Sequence, residues 1–482
     1  MNIELANGLS YEFDGKLISA DGQNIDIDCR IWPPSVGGDV AKIELSIPNA
    51  SMPIPEIHNP CHIIGKANIG SIEVRLDDVW YRELTQYSRP RRLTGLAPIT
   101  LTHVGKLRLI TRFNKSNQTI QPRRLKKSIK FYLTSNAFLA DNAWLAALST
   151  TPNCQTDELY LVDIPQMGRV QILREWVFIR SVNSENAIVK SGFCAVAELD
   201  DDIQSTEEHL SRFEEALMVS SIFCRQRIAV LGWEVEYDDR REQVWKDPLA
   251  PLTTKYLPYE PHNYLVSQHN FTSLMNTATK ELSMLDPKIK DILKHMTLGL
   301  APFINLQTSE RFLSMFHALE ACRSLAPEDT KDAKLKEDDV ALRLVLEAAK
   351  QGVDGNIAKR IDGFIKMVGK PTLQQQLESV LVAKWNIRID DLWPLSGPDS
   401  LPGLKQIRDK LAHSGPKATH TQGLAVATWH LSILLERLLI TLLKIPIADT
   451  SLTSSQLIRE EWYQPRYLLE QRKLVMHPNR GQ

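Results

Sequence analysis

Two side chains toward the C-terminal end of the sequence, Arg408 and His413, are of the types needed for chemistry at a phosphodiester. A guanidinium holds a phosphate through paired N–H donors, and an imidazole moves a proton to or from a ribose hydroxyl or a leaving oxygen. Both lie in Leu404-Lys405-Gln406-Ile407-Arg408-Asp409-Lys410-Leu411-Ala412-His413-Ser414-Gly415, which reads as a helix stopped by Gly415-Pro416. Five residues on an ideal helix set the two side chains about 140° apart, so they diverge on one straight helix. A frayed last turn, or a cleft shared by two copies of the helix, brings them together more easily. His413 falls in that last turn, where the negative end of the helix dipole favours imidazolium. The ordinary alternative is a helix C-cap, with His413 complementing the dipole and Arg408 paired with Asp409 or solvent.

Spacing alone is weak evidence. In 482 residues with 29 Arg and 12 His, chance supplies about two Arg-x4-6-His pairs, and three occur. Arg311 to His317 spans Phe312, Leu313, Met315 and Phe316, an apolar helix face on which His317 reads as structural. Arg472 to His477 lies in a polar C-terminal tail and reads as surface decoration. The sequence lacks Gly-x-Gly-x-x-Gly, a P-loop lysine, Gly-x-Ser-x-Gly and His-Glu-x-x-His, so dinucleotide, NTPase, esterase and zincin chemistry lose their usual support. Its six cysteines form no Cys-x-x-Cys pair, which argues against a zinc knuckle or redox dithiol and fits a reducing cytoplasm. No metal site and no cofactor are expected.

The net charge of −1 conceals an asymmetry. Between Leu84 and Ala140 there are twelve Lys or Arg and no Asp or Glu, with Tyr87, Phe113, Phe131 and Tyr132 interleaved. Such a segment can track a phosphate backbone while its aromatics stack on bases, which makes Arg123, Arg124, Lys126 and Lys127 candidate RNA-binding residues. Lys410, beside the Arg408 motif, joins them. A basic strand face docked on the acidic helix beginning near Asp200 is the competing reading.

The elements that must position these residues are of two kinds. Residues 1–245 read as β-rich, with period-two runs over 26–32, 41–47, 71–76 and 169–179, and end in a helix expected within 200–231. Four prolines between Tyr237 and Tyr264 mark a linker, so residues 246–299 read as linker and first helices. Helical periodicity then dominates, as in Phe312, Met315, Phe316, Leu319; Val340, Leu344, Val345, Ala348; and Leu431, Leu434, Leu435, Leu438, Leu439. The stretch from Leu424 to Ile447 is interrupted by His430, Glu436, Arg437 and Lys444 and reads as a buried helix, not a membrane span. The expected fold is therefore α+β in two parts: a sandwich- or barrel-like β-rich half, then an all-α bundle over 300–446 and a tail over 447–482.

The block from Ile407 to Gly415, followed by the long apolar helix and preceded by Glu310-Arg311-Phe312-Leu313-Ser314-Met315-Phe316-His317-Ala318-Leu319-Glu320, resembles the HEPN ribonuclease domain. Within that superfamily it is most similar to the ApeA-type branch of bacterial anti-phage proteins, whose β-rich half likewise precedes the HEPN domain. The resemblance covers about residues 300–446. It implies a homodimer whose Arg-x4-6-His motifs face one cleft and cut RNA without metal, leaving a 2′,3′-cyclic phosphate. On that basis Arg408 binds the scissile phosphate, His413 transfers protons, and Asp409, in a slot where Asn is frequent, orients one of them. Glu320 and Arg323 are candidates to line the cleft. The expected protein is a cytoplasmic abortive-infection effector with RNA as substrate and a phage-derived protein as trigger. Two rivals stand: a non-catalytic helical module for dimerisation or nucleotide binding, and a carbohydrate- or peptide-binding β domain with helices as its oligomerisation platform.

Overall fold

The computed structural model describes residues 11–18, 22, 24–32, 42–46, 61–67, 71–79, 99–102, 106–112, 128–134, 138–139, 156–180, 187–198, 206–237, 240–245, 264–302, 306–326, 337–416 and 419–477. The chain divides into two compact units, 1–283 and 284–482. The first holds strands β1 (Tyr11–Ile18), β2 (Asn24–Trp32), β3 (Lys42–Ser46), β4 (Cys61–Ala67), β5 (Ser71–Val79), β6 (Ile99–Thr102) and β7 (Lys106–Arg112). After these come β8 (Ser128–Leu133), β9 (Thr156–Ile164), β10 (Gly168–Arg180), β11 (Ala187–Glu198), β12 (Val230–Glu236) and β13 (Arg240–Trp245). They pair as one sheet in the order β6-β3-β2-β1-β4-β5-β7-β13-β12-β8-β11-β10-β9. Among the described residues each strand pairs antiparallel with its neighbours, and the end strands, β6 and β9, do not pair with each other.

Period-two patterning is visible in β8, where Ile129, Phe131 and Leu133 are buried and the alternate residues half-buried. Against the buried side lies α1 (Thr206–Phe223), with Phe213 stacked on Phe131 at 4.5 Å between ring centres. This helix is shorter than the expected span, because Val230 already belongs to β12. Strand β13, within the 237–264 stretch read as linker, sits inside the sheet between β7 and β12 and ends at the expected boundary, residue 245. Helix α2 (Phe271–Met284) then packs back onto β9: Asn276 Oδ1 accepts from the Asp163 amide at 2.8 Å, Thr279 donates to the Asp163 carbonyl at 2.9 Å, and Phe271 meets Tyr160. The first unit therefore runs to Ser283.

The second unit is helical: α3 (Pro287–Leu300), α4 (Thr308–Ala321), α5 (Glu337–Gln351), α6 (Gly355–Met367), α7 (Leu373–Glu378), α8 (Leu404–Ser414), α9 (Thr421–Leu442), α10 (Ser454–Leu457) and α11 (Pro465–Leu474). Local signals start them where the chemistry demands, as with Asp286, whose side chain caps α3 ahead of Pro287, and Glu310, whose carboxylate accepts from the Gln307 amide at 2.9 Å at the start of α4. Helices α3 and α4 touch at Gly299, where a Cβ would overlap Met315, and Arg311 donates from Nε to the Gly299 carbonyl at 3.1 Å. The apolar stripe expected to bury α5 does not do so: Leu344 and Val345 are 62% and 65% exposed, as is Phe364 of α6 at 64%. Helical period is thus no guarantee of a covered face.

Helix α9 is the axis of this unit, with Leu431, Leu434, Leu435, Leu438 and Leu439 buried. It is long and apolar enough to cross a membrane by composition, but most of it is buried in protein. Arg437 leaves it to grip Asp391 with both terminal nitrogens, at 2.7 and 2.8 Å, while donating to the Arg388 carbonyl at 2.6 Å; Tyr463 donates to the same carboxylate. These contacts, added to burial of Leu452, Leu457 and Val475, make residues 447–477 part of the unit rather than a tail. Two turns before Arg437, His430 is fully buried among Trp393, Trp462 and Tyr463. The Trp462 carbonyl, 3.1 Å from Nε2, can only accept, so Nε2 carries the proton, and the buried Nδ1 has no partner among the described residues.

Burial pushes the His430 imidazole down from 6.5 to about 4; the Trp462 carbonyl and Asp391 resist this shift, whereas Arg437 adds to it. The unfolded chain therefore takes up the proton first, and stability falls as pH drops from about 6.5 to about 4, by up to about 3 kcal/mol. Thermal unfolding of the full chain across that window should show the slope, and His430→Phe should flatten it. Asp391→Ala should cost about 3–5 kcal/mol at pH 7, since it leaves the Arg437 charge buried without its partner.

Candidate functional site

Helix α8 carries the candidate pair, and the loop before it fixes where the helix begins. Trp393 donates from Nε1 to the Pro402 carbonyl at 3.0 Å, and the amides of Leu404 and Lys405 donate to the carbonyls of Pro394 and Leu395 at 2.9 and 3.0 Å. These bonds satisfy first-turn donors that a helix cannot satisfy itself. Gly403 lies where a Cβ would meet the Ser396 backbone at 2.5 Å. Arg472, read from sequence as decoration, instead donates to the carbonyls of Leu401 and Pro402 at 2.6 and 3.3 Å, and its burial lowers its pKa. Leu404, Ile407 and Leu411 face the core, leaving Arg408 half-buried and Ala412, His413 and Ser414 exposed.

Around Arg408 the geometry is specific. One terminal nitrogen donates to Glu320 at the end of α4, the other lies 2.7 Å from Asp409, and the guanidinium stands 5.3 Å from the Phe316 ring centre. Its Nε is buried without a partner among the described residues. Asp409 also takes Lys405 at 2.7 Å, an (i, i+4) pair across one helix turn. Positive and negative charges balance: Arg408 and Lys405 against Glu320 and Asp409. Asp409 thus pairs with both Lys405 and Arg408.

His413 is separate from this cluster. It sits in the last turn, and α8 ends as the sequence implies: Gly415 has φ +73° and its amide returns to the Leu411 carbonyl at 3.0 Å. Lys410 donates to the Met476 carbonyl at 2.6 Å, so its ammonium holds the C-terminal segment. Arg323 donates to Gln376 at 2.8 Å and is not part of the Arg408 cluster. Arg123, Arg124, Lys126 and Lys127 lie outside the described residues. From the same basic segment, Lys130 of β8 pairs at 2.5 Å with Glu175 of β10, so its partner lies across β11 in the same sheet and not on the acidic helix. His317, read from sequence as structural, is exposed and packs edge-on to His295 at 5.0 Å. Sequence reasoning missed Lys405 and Phe316; the (i, i+4) spacing of Lys405 and Asp409 was the available signal for the first, whereas nothing local brings Phe316 to Arg408.

No family model matches the chain, and no curated protein or solved structure does either. Among the described residues no group of three or more His, Cys, Asp or Glu could hold a metal ion. Cys29, Cys194, Cys224 and Cys322 are buried free thiols, and burial raises the pKa of each.

Gly415 sets the exit from α8 immediately after His413, in backbone space that only glycine enters without strain. Gly415→Ala should lower stability by about 1–3 kcal/mol, read as an earlier urea midpoint, despite open space around the new methyl.

Proposed function

We propose that the helical unit is a HEPN-type ribonuclease and that the protein is a cytoplasmic anti-phage effector of the ApeA kind, cleaving cellular or phage RNA to arrest the infected cell. The observation that carries this reading is a surface arginine held in a fixed orientation, with a solvent-open histidine five residues along the same short helix. Arg408 binds the scissile phosphate and neutralises charge developing on it; His413 transfers the proton. The two diverge by about 140° on one α8, so in this reading the cleft is completed by α8 of a second copy. The exposed apolar residues of α5 and α6 supply surface for that association, and the basic segment of the β-rich unit recruits RNA.

One observation favours a second reading. Both terminal nitrogens of Arg408 already face carboxylates, as they would in a purely structural helix of a dimerisation or nucleotide-binding module. Purified protein that leaves RNA intact, alone and with infected-cell extract, would select it.

Arg408→Ala and His413→Ala should each reduce RNA cleavage by about 100-fold or more and relieve growth arrest, with circular dichroism and dimer mass unchanged. Cleavage should persist in excess EDTA, because neither role assigned here uses a metal. Toxicity retained by both variants removes the assignment.

A further inference from the structure

The edges of the Arg408 guanidinium are not equally open. Its Nε edge is buried and one face looks onto Phe316, so a ligand can reach it only along the two terminal nitrogens. Those are the atoms that meet Glu320 and Asp409. The two carboxylates differ. Asp409 is shared with Lys405, one turn back on the same helix, whereas Arg408 is the only cation paired with Glu320 among the described residues. Glu320 is also the penultimate residue of α4, next to the short turn Cys322–Leu325, and its side chain is 28% exposed. Carboxylate and phosphate use the same fork of guanidinium donors, so an anion approaching Arg408 competes directly with Glu320.

We propose that Glu320 is an internal substitute for phosphate that closes Arg408 in the resting protein, and that a strand carrying consecutive phosphates opens the site by displacing it. This rests on the ribonuclease reading for the identity of the strand, but not for the closure itself. When the carboxylate leaves, a phosphate takes its place on the terminal nitrogens, and the half-exposed Lys405 lies near enough along α8 to meet the next one. A neutral side chain at 320 keeps the shape of the contact and loses its charge. The site is then easier for an anion to enter.

The test uses the full chain with Glu320→Gln and the shorter acid Glu320→Asp, each checked for folding by circular dichroism, beside Arg408→Ala. Two readouts are taken: the rate at which phenylglyoxal modifies Arg408, located by peptide mass with and without inorganic phosphate, and cleavage of a single-stranded RNA. Glu320→Gln should raise the Arg408 modification rate about tenfold, phosphate should protect it, and KM for RNA should fall by a similar factor, with Glu320→Asp between it and the native chain. Unchanged or slower modification, or a Glu320→Gln protein as inactive as Arg408→Ala where the native chain cleaves RNA, overturns the closure and makes Glu320 a positioning residue. Faster, phosphate-protected modification without Arg408-dependent cleavage keeps the closure and removes the ribonuclease reading. Arg408-dependent cleavage that Glu320→Gln leaves unaltered does the reverse.

Discussion

The buried ion pair between Arg437 and Asp391 is the constraint from which the helical unit is organised. Removing two charges from water is costly, and the arrangement is tolerable because nearly every polar atom is used: two nitrogens on two oxygens, the Arg388 carbonyl on one side and the Tyr463 hydroxyl on the other. The pair fastens α9 to the segment before α8 and to the C-terminal segment at once. Two residues beyond Asp391, Trp393 lies against His430 and bonds the Pro402 carbonyl, and from there the first-turn amides of α8 are set. Arg408 thus owes its place on the surface to a salt bridge that it never touches.

The same economy appears around Arg408, with the opposite purpose. Inside the unit, charges are matched and sealed. At α8 they are matched but half-exposed, so solvent and incoming anions can compete for them. The difference between an architectural charge network and one able to exchange partners lies in exposure as much as in pairing. His413 belongs to the open side of this division and His430 to the closed side.

Much of the fold was legible in the sequence where the pattern is local. Period-two runs over 26–32, 71–76 and 169–179 lie within β2, β5 and β10, and Gly415 ends α8 at the predicted place. What could not be read depended on distant partners. Strand β13 looked like linker because Pro248, Pro251, Pro258 and Pro261 follow it, yet its neighbours come from residues more than a hundred positions earlier and from β12. The stripe of Val340, Leu344 and Val345 has helical spacing, yet all three side chains are exposed. At the site, Arg408 and His413 were visible as types, while Glu320 became a contact of Arg408 only through the packing of α4 on α8, 88 positions away in the chain. The roles of Arg472 and Lys410 were hidden for the same reason: each bonds main-chain carbonyls that no motif records.

Gly299 brings α3 and α4 into backbone contact, and Arg311 staples the start of α4 to the end of α3. Sliding one helix along the other would drive Met315 into that backbone, so α4 is held against shear. Such a hold leaves side-chain torsions as the easiest motion at its C-terminal end, and torsions of exposed side chains interconvert on the picosecond-to-nanosecond scale, far faster than any helix displacement. Under the proposed closure, access to the guanidinium is then a rapid equilibrium, and the speed of whatever happens there is set by the arriving anion and its bond making, not by waiting for the protein.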